Sequence, residues 1–422
     1  MRRRLLRLTV RLALALAALP AAPSRLEAQA RPADAALAPL ASDVGLARAR
    51  GLARAGRTDA AIAAFEAWLL DHPGDAAAWR ELARQQRSAG RLRSALASLE
   101  KAEAIQPDPH AARDAGALRS RIAPALEPDS RASRDSDGNG VLRVGLSATA
   151  LVGDALRLGA GAARTRVGAW GLSASADEAV LSAGWRPRAA LALDGSVGGV
   201  RTAASDGATV TPVATLRARW RSPGSGPAAE LRATRAPVTA TPELLATPVL
   251  LDEARGSFDF ALAGPVRLRS MGRIGALTGA GDTNRRAGAG GALVLRAGPT
   301  LELSGAYQRF GYDHDPGTGY FAPRRIESME IGAYGEYYGA WPLAIAADVG
   351  GGAARITSQA GATGAWRRAL RLWSQLSWDL GRARELRLEL DGYDTLAGEI
   401  VGASTGGWRY GSAALGVRWP LR

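Results

Sequence analysis

The stretch Glu385-Leu386-Arg387-Leu388-Glu389-Leu390-Asp391 puts its leucines on one face of an extended chain and its charges on the other. Side chains of a strand point alternately to opposite sides, so this segment reads as a β-strand with one apolar and one ionic face. Leu370 to Leu380 repeats the arrangement, with Leu370, Leu372, Leu376, Trp378 and Leu380 on one side and Arg371, Trp373, Gln375 and Asp379 on the other. A soluble sandwich hides its apolar face, whereas a transmembrane barrel turns that face to lipid and lines its lumen with charge. Alternation alone fits both.

From Val141 to Arg422 similar short segments recur, divided by Gly, Pro, Asp and Asn. Counting them gives about fourteen to sixteen strands, and sixteen is favoured because bacterial single-chain barrels have an even number. An even count returns both ends of the barrel to one side of the membrane. Sixteen strands also enclose an aqueous passage, where eight are filled by side chains. The last residues, Gly416-Val417-Arg418-Trp419-Pro420-Leu421, resemble the signal by which barrel assembly machinery recognises a final strand: Gly416, the aromatic Trp419 and then the apolar Leu421. Two positions depart from it, since Arg422 follows the apolar residue and Ala414 stands where a polar residue is usual; Pro420 is tolerated at a strand end. Trp170, Trp185, Trp220, Trp341, Trp366 and Trp408 fall near expected strand ends, as in interfacial girdles, though packing also accounts for any one of them.

At the other end of the chain, Arg2, Arg3, Arg4, Arg7 and Arg11 precede the apolar run Leu12 to Leu19 and then Ala28-Gln29-Ala30. This reads as a secretory signal peptide over residues 1–30. The run is much shorter than the ~20 residues a helix needs to cross a bilayer, so a membrane position requires a barrel. There are no cysteines, which removes disulfides and thiolate chemistry. The formal charge is +14, yet Lys101 is the only lysine and the arginines are scattered through every segment. With no clustered basic helix and no aromatic RNA-binding motif, nucleic acid is not an expected partner.

Residues 31–126 change period from two to 3.6. Gly56-Arg57 aligns with Gly90-Arg91, and the same offset of 34 superposes Ala61 on Ala95, Phe65 on Leu99 and Pro73 on Pro107. That is the tetratricopeptide period, with repeats at about 42–75 and 76–109 and a solvating helix at 110–126. Two repeats are fewer than an independent array needs, so the domain leans on the barrel, pairs with another copy, or has further helical turns between Arg31 and Ala41. Arg50, Arg54, Arg80, Arg84 and Arg87 are candidates for a concave surface that binds an acidic partner; a solvated face is the alternative. Residues 127–140 read as a linker to a barrel over 141–422. Within it, Asp135-Ser136-Asp137-Gly138-Asn139-Gly140 resembles the start of a calcium loop, but Leu146 stands where a carboxylate is needed, which favours a hinge.

Gly317-Thr318-Gly319-Tyr320-Phe321-Ala322-Pro323-Arg324-Arg325 lies between two strands, and a strand follows over Ser328 to Tyr338. The motif Tyr320, Phe321, Pro323 and Arg324, that strand, and the order of repeats then barrel resemble the C-terminal part of the family that supplies the outer-membrane component of bacterial cellulose synthase. Pro237-Val238 and Pro242-Glu243 resemble that family's loops only loosely. Poly-N-acetylglucosamine exporters share the plan. The resemblance implies a sixteen-stranded outer-membrane channel for a β-glucan, with repeats in the periplasm facing synthase components there or in the inner membrane, and no cofactor. The family carries a long repeat array, however, so two units imply either a separate periplasmic partner or a different cargo.

A neutral glycan passes most easily through a wet lumen with aromatic faces for sugar rings and polar groups for hydroxyls. Arg217, Glu330, Tyr334, Glu336, Tyr338, Arg371, Trp373, Glu385 and Glu389 take inward positions on the expected strands and supply both types, although any barrel lumen is polar. No enzyme is expected. The histidines are His72, His110 and His314; Asp313-His314-Asp315 sits in a turn, and Glu385 and Glu389 lack a pocket for glycoside hydrolysis. Three readings follow: an exopolysaccharide export channel, an outer-membrane-anchored tetratricopeptide scaffold, and a general porin.

Overall fold

The computed structural model describes residues 38–204, 207–222, 226–279, 281–317, 320–338, 342–381, 384–394 and 409–421. The signal-peptide reading, Trp341, Trp408 and the side chain of Tyr338 lie outside what is described.

Among the described residues five helices precede the strands: α1 (Ala38–Arg54), α2 (Thr58–Asp71), α3 (Ala76–Ser88), α4 (Leu92–Ile105) and α5 (Pro109–Ile122). Gly56 and Gly90 hold φ of 70° and 79° at equivalent corners of the two repeats, a left-handed conformation that favours glycine. The residues superposed by the 34-residue offset face inward: Ala61 and Ala95 are fully buried, and Phe65 and Leu99 pack beside them. Alanine at these positions lets consecutive helices approach closely enough for the larger side chains to interlock.

Sixteen antiparallel strands then close into a barrel. They are β1 (Ala125–Asp135), β2 (Gly140–Val152), β3 (Leu156–Ala169), β4 (Leu172–Arg188), β5 (Leu191–Ala204), β6 (Gly207–Arg221), β7 (Ala228–Pro237) and β8 (Leu250–Ala263). The second half comprises β9 (Val266–Gly279), β10 (Asp282–Arg296), β11 (Leu301–Tyr312), β12 (Arg325–Tyr338), β13 (Leu343–Thr357), β14 (Arg367–Asp379), β15 (Glu385–Asp394) and β16 (Arg409–Pro420). Each strand pairs with its sequence neighbours, and β16 returns to β1 with Trp419 opposite Leu126.

One boundary moves. The polar stretch read as a linker over 127–140 is the first strand and its turn, so the barrel starts at Ala125 rather than Val141, and α5 ends at Ile122 rather than 126. The segment hid because its outward residues include Pro128 and Ser130, which carry no apolar stripe. Its calcium-like residues form the hairpin turn: the Asp135 carboxylate accepts from the backbone N–H groups of Asp137 and Asn139 and from the Asn139 side-chain amide, at 2.9–3.0 Å. The residues turn the chain between two paired strands of one sheet and are not an interdomain hinge.

The two faces of the sheet differ as alternation requires. Leu370, Leu372, Trp378, Ile331 and Val349 point outward and are 42, 49, 46, 77 and 52 % exposed, which in water would be a large uncovered apolar surface. The register places these residues on the side opposite the ion pairs of the lumen. A continuous outer apolar face around a closed sheet is the solution for crossing a bilayer with strands, because no backbone group is left unpaired at an edge.

The repeats sit against one mouth of the barrel. Asp154, in the turn between β2 and β3, accepts from the backbone N–H groups of Arg93 and Ser94 at 2.7 and 3.0 Å and from the Ser94 hydroxyl. It therefore satisfies orphan donors in the first turn of α4, a task that the preceding residue Arg91 cannot perform. Leu151 of β2 is buried with Leu92, Leu118 and Ile122. Of the three ways to stabilise a two-repeat array, this contact realises leaning on the barrel. The barrel thus has a repeat end, the mouth beside the helices, and a far end opposite it.

Candidate functional site

The lumen is built by inward positions whose charges are matched strand to strand. Arg217 of β6 makes a bidentate contact with Glu230 of β7 at 2.8 and 2.7 Å. Arg371 of β14 reaches Asp348 of β13 at 2.6 and 3.0 Å and Glu330 of β12 at 2.8 Å. Glu389 meets Arg131, and Glu385 meets Arg387. Tyr334 donates to Glu336 on the same face. Trp373 shares the face of Arg371, opposite Asp348 and Asp391 in register.

Cavities lie along this lumen. One of about 770 Å³ forms a vestibule at the repeat end, where Gly90, Leu92 and Arg121 of the repeats face Glu127, Arg157 and Arg418 of the barrel. A second, of about 440 Å³, lies among Arg269, Gln308, Glu330, Tyr334, Asp348 and Arg371.

At the far end an apolar plug folds into the lumen. The connection from β7 to β8 turns inward and forms a short helix, α6 (Pro242–Ala246), capped by the Thr241 hydroxyl on the Leu244 N–H. Leu244 and Leu245 are 1 and 0 % exposed. Leu245 packs on the inward side chains Val167, Val200 and Val213, while Leu244 joins Leu277, Phe310, Tyr312 and Ile326. Tyr320, Phe321 and Ala322 pack against the second group. Pro323 is buried and its carbonyl accepts from the Tyr312 N–H, while the Gln359 amide donates to the Ala322 carbonyl at 2.8 Å. Arg324 is exposed. The Tyr320 hydroxyl is pushed above its ordinary pKa by burial in this cluster. Below it, Glu253 and Arg286 form an ion pair of 2.5 Å with both side chains almost fully buried. His314 Nε2 donates to the Asp282 carboxylate, 2.7 Å away, and the His314 carbonyl accepts from the Asn284 side-chain amide.

The sequence places the Tyr320–Pro323 motif between strands but does not reveal its partners, Leu244 and Gln359. A signal existed: Thr241-Pro242-Glu243 is a helix start, with a capping hydroxyl and proline in the first turn, inside a strand-rich region. Apolar residues following it needed somewhere to be buried.

On the repeats, Arg50 pairs with Glu81, Arg80 with Asp108 and Arg87 with Asp114, at 2.8, 2.8 and 3.3 Å. These contacts join alternate helices, α1 to α3 and α3 to α5, so three of the five groove arginines staple the array internally. Arg54 and Arg84 have no carboxylate partner among the described residues. Asp108 is also the N-cap of α5; the His110 backbone N–H, then Arg80, hold its carboxyl below the ordinary aspartate value. A lowered carboxyl pKa stabilises the fold above the unfolded value and loses that contribution as pH falls through the folded one. Helicity of the repeats should therefore hold across neutral pH and drop on acidification below the ordinary value of 3.8. Asp108→Asn, which keeps a capping oxygen without the charge, should flatten that acid limb in circular dichroism.

At the chain end, Gly416 faces the lumen, while Trp419 and Leu421 are exposed on the outer side, at 45 and 44 %. Arg384 lies over the Trp419 ring at 3.8 Å. Trp185, Trp220 and Trp378 share the outer side near this mouth, whereas Trp170 occupies a far-end turn and Trp366 is 39 % exposed beside Arg355 at the far end.

A tetratricopeptide repeat model matches residues 42–84. No curated protein matches the chain by sequence. Among solved structures, a bacterial polysaccharide outer membrane secretin is similar at 10 % identity over 71 % of this chain and 99 % of its own, with a TM-score of 0.52. OccAB1 of Acinetobacter baumannii is 10 % identical over 71 % and 97 %, TM-score 0.40. OccD3 (OpdP) of Pseudomonas aeruginosa is 12 % identical over 71 % and 91 %, TM-score 0.38. The chain is thus a helical tetratricopeptide-like array followed by a closed sixteen-stranded antiparallel barrel whose fold resembles that of the polysaccharide secretin.

Proposed function

We propose that this chain is an outer-membrane channel that exports an exopolysaccharide, cellulose-like by its resemblance to the outer-membrane component of bacterial cellulose synthase, with the repeats in the periplasm meeting synthase components. The observation that carries the reading is the compensated lumen. Arginines on the lumen wall are held by carboxylates one or two strands away, as Arg217, Arg371 and Arg131 show. Such a wall offers many hydrogen bonds with little net field, which suits a neutral polyhydroxylated polymer. The plug supplies what an exporter needs besides a pore: a seal against small solutes when no polymer is passing. The likeness to a polysaccharide secretin supports the same choice.

Deleting the gene and measuring matrix glucan tests the reading. Loss of secreted glucan with retained synthesis inside the cell is expected. Unchanged matrix with loss of a periplasmic complex would support the scaffold reading instead, and growth defects on small solutes the porin reading.

A further inference from the structure

The outer wall carries a groove that the passage does not use. Outward-facing Leu268, Leu293, Tyr307, Met329 and Ile331 border a depression of about 640 Å³ floored by Gly291, Gly305 and Gly351. A side chain on Gly305 would meet nothing within 4 Å, so the depression exists because side chains are missing from adjacent strands. It belongs to the lipid-facing surface.

Immediately above it toward the far end, one two-residue step or about 7 Å along the strands, the same outer face becomes cationic. The register aligns Arg309 with Glu327 and Glu327 with Arg355. Arg325 follows one step further. Glu327 is 6 % exposed and is occupied by Arg355 at 2.8 Å, Arg325 at 3.3 Å and the Tyr307 hydroxyl at 3.0 Å. One carboxylate therefore stands against three arginines. Arg309 is exposed and has no ion-pair partner among the described residues. Outward positions in the far half of other strands hold Arg166, Arg201 and Arg285, whereas at the repeat end they hold Trp185, Trp220, Trp378 and Trp419.

We infer that this groove and its arginines bind a lipid with a phosphate-bearing headgroup, its acyl chain lying over Gly305 and Gly291 beside Ile331 and its phosphate engaged by Arg309, Arg325 and Arg355. The apolar channel is continuous with the membrane-facing band, and the cations begin at the height where a headgroup follows its chain. Arginine suits the task because its planar fork meets phosphate bidentately. Excess positive charge on an outer face has no other neighbour in a membrane than the headgroups of that leaflet. The far end therefore lies in the leaflet richer in phosphate. This rests on the barrel's membrane placement and not on its cargo, so a failed secretion assay leaves it standing.

The test exchanges the full-length protein in neutral detergent with rough-type lipopolysaccharide and counts retained lipid by native mass spectrometry, with dephosphorylated lipopolysaccharide as the second arm. The phosphorylated form should be retained about tenfold more tightly, and Arg309→Gln should remove most of that difference, because a hydrogen bond to a charged group contributes on this scale. Gly305→Trp should weaken both forms by filling the groove. Arg309 is exposed and outside the ion pairs of the wall, so its variant should keep the resistance of the folded barrel to heating in dodecyl sulfate; Arg309→Lys should recover part of the binding. Equal retention of the two lipids by the unmodified protein, or retention unaffected by both variants, overturns the site. So does a protein dimer in place of bound lipid.

Discussion

Replacing Leu244 and Leu245 together by serine should turn a nearly closed barrel into an open one, read as large steady single-channel conductance in planar bilayers. Each leucine is at most 1 % exposed, and between them they bridge opposite sides of the far-end lumen. Truncating one buried leucine typically costs about 2–5 kcal/mol. Two polar substitutions on one short helix therefore exceed what a five-residue element can recover from its single capping bond. A loss of only about 4 kcal/mol shifts the ratio of docked to undocked loop by roughly a thousandfold. The barrel itself should remain folded, since its strands pair independently of the plug. Leu245→Met, which keeps volume, should stay closed. Conductance unchanged by the double substitution in a heat-resistant barrel would show that α6 does not seal the passage.

The same helix explains what could and could not be read in the sequence. Alternation in Glu385 to Asp391 and Leu370 to Leu380 exposed the barrel because one face meets lipid and the other charge, and both solvents leave a strong mark. The repeats were legible for a similar reason: Ala61, Ala95 and the two glycines of the corners repeat at a fixed offset. β1 was obscured because its outer positions hold Pro128 and Ser130, and a strand held mainly by neighbours needs no apolar stripe of its own. The plug was harder still. Burial of Leu244 depends on Phe310, Tyr312 and Ile326, which lie far along the chain, and nothing local states that a loop will fold back into a lumen. The Tyr320–Pro323 motif was visible, but its packing role is a tertiary property.

Charge compensation in the lumen predicts an equally direct result once the plug is open. In the Leu244→Ser/Leu245→Ser background, Arg371→Met should make the channel cation-selective, measured as a shift of reversal potential across a potassium chloride gradient. Among the described residues Arg371 alone holds Glu330 and Asp348, and the three side chains are 24, 22 and 28 % exposed. Removing the guanidinium leaves two carboxylates on adjacent strands facing the same chamber. Partly desolvated like charges attract mobile cations into the passage and exclude anions, and low-dielectric walls strengthen the field relative to bulk water. Stability should fall by roughly 2 kcal/mol, less than for a fully buried pair because water still reaches the site. Arg371→Lys separates the two consequences: it restores the charge, so selectivity should return toward neutral, but it cannot fork to both carboxylates, so stability should recover only in part. Unaltered selectivity in the methionine variant would mean that Glu330 and Asp348 do not face the conducting path. The lumen's suitability for an uncharged polymer would then have to rest on other residues.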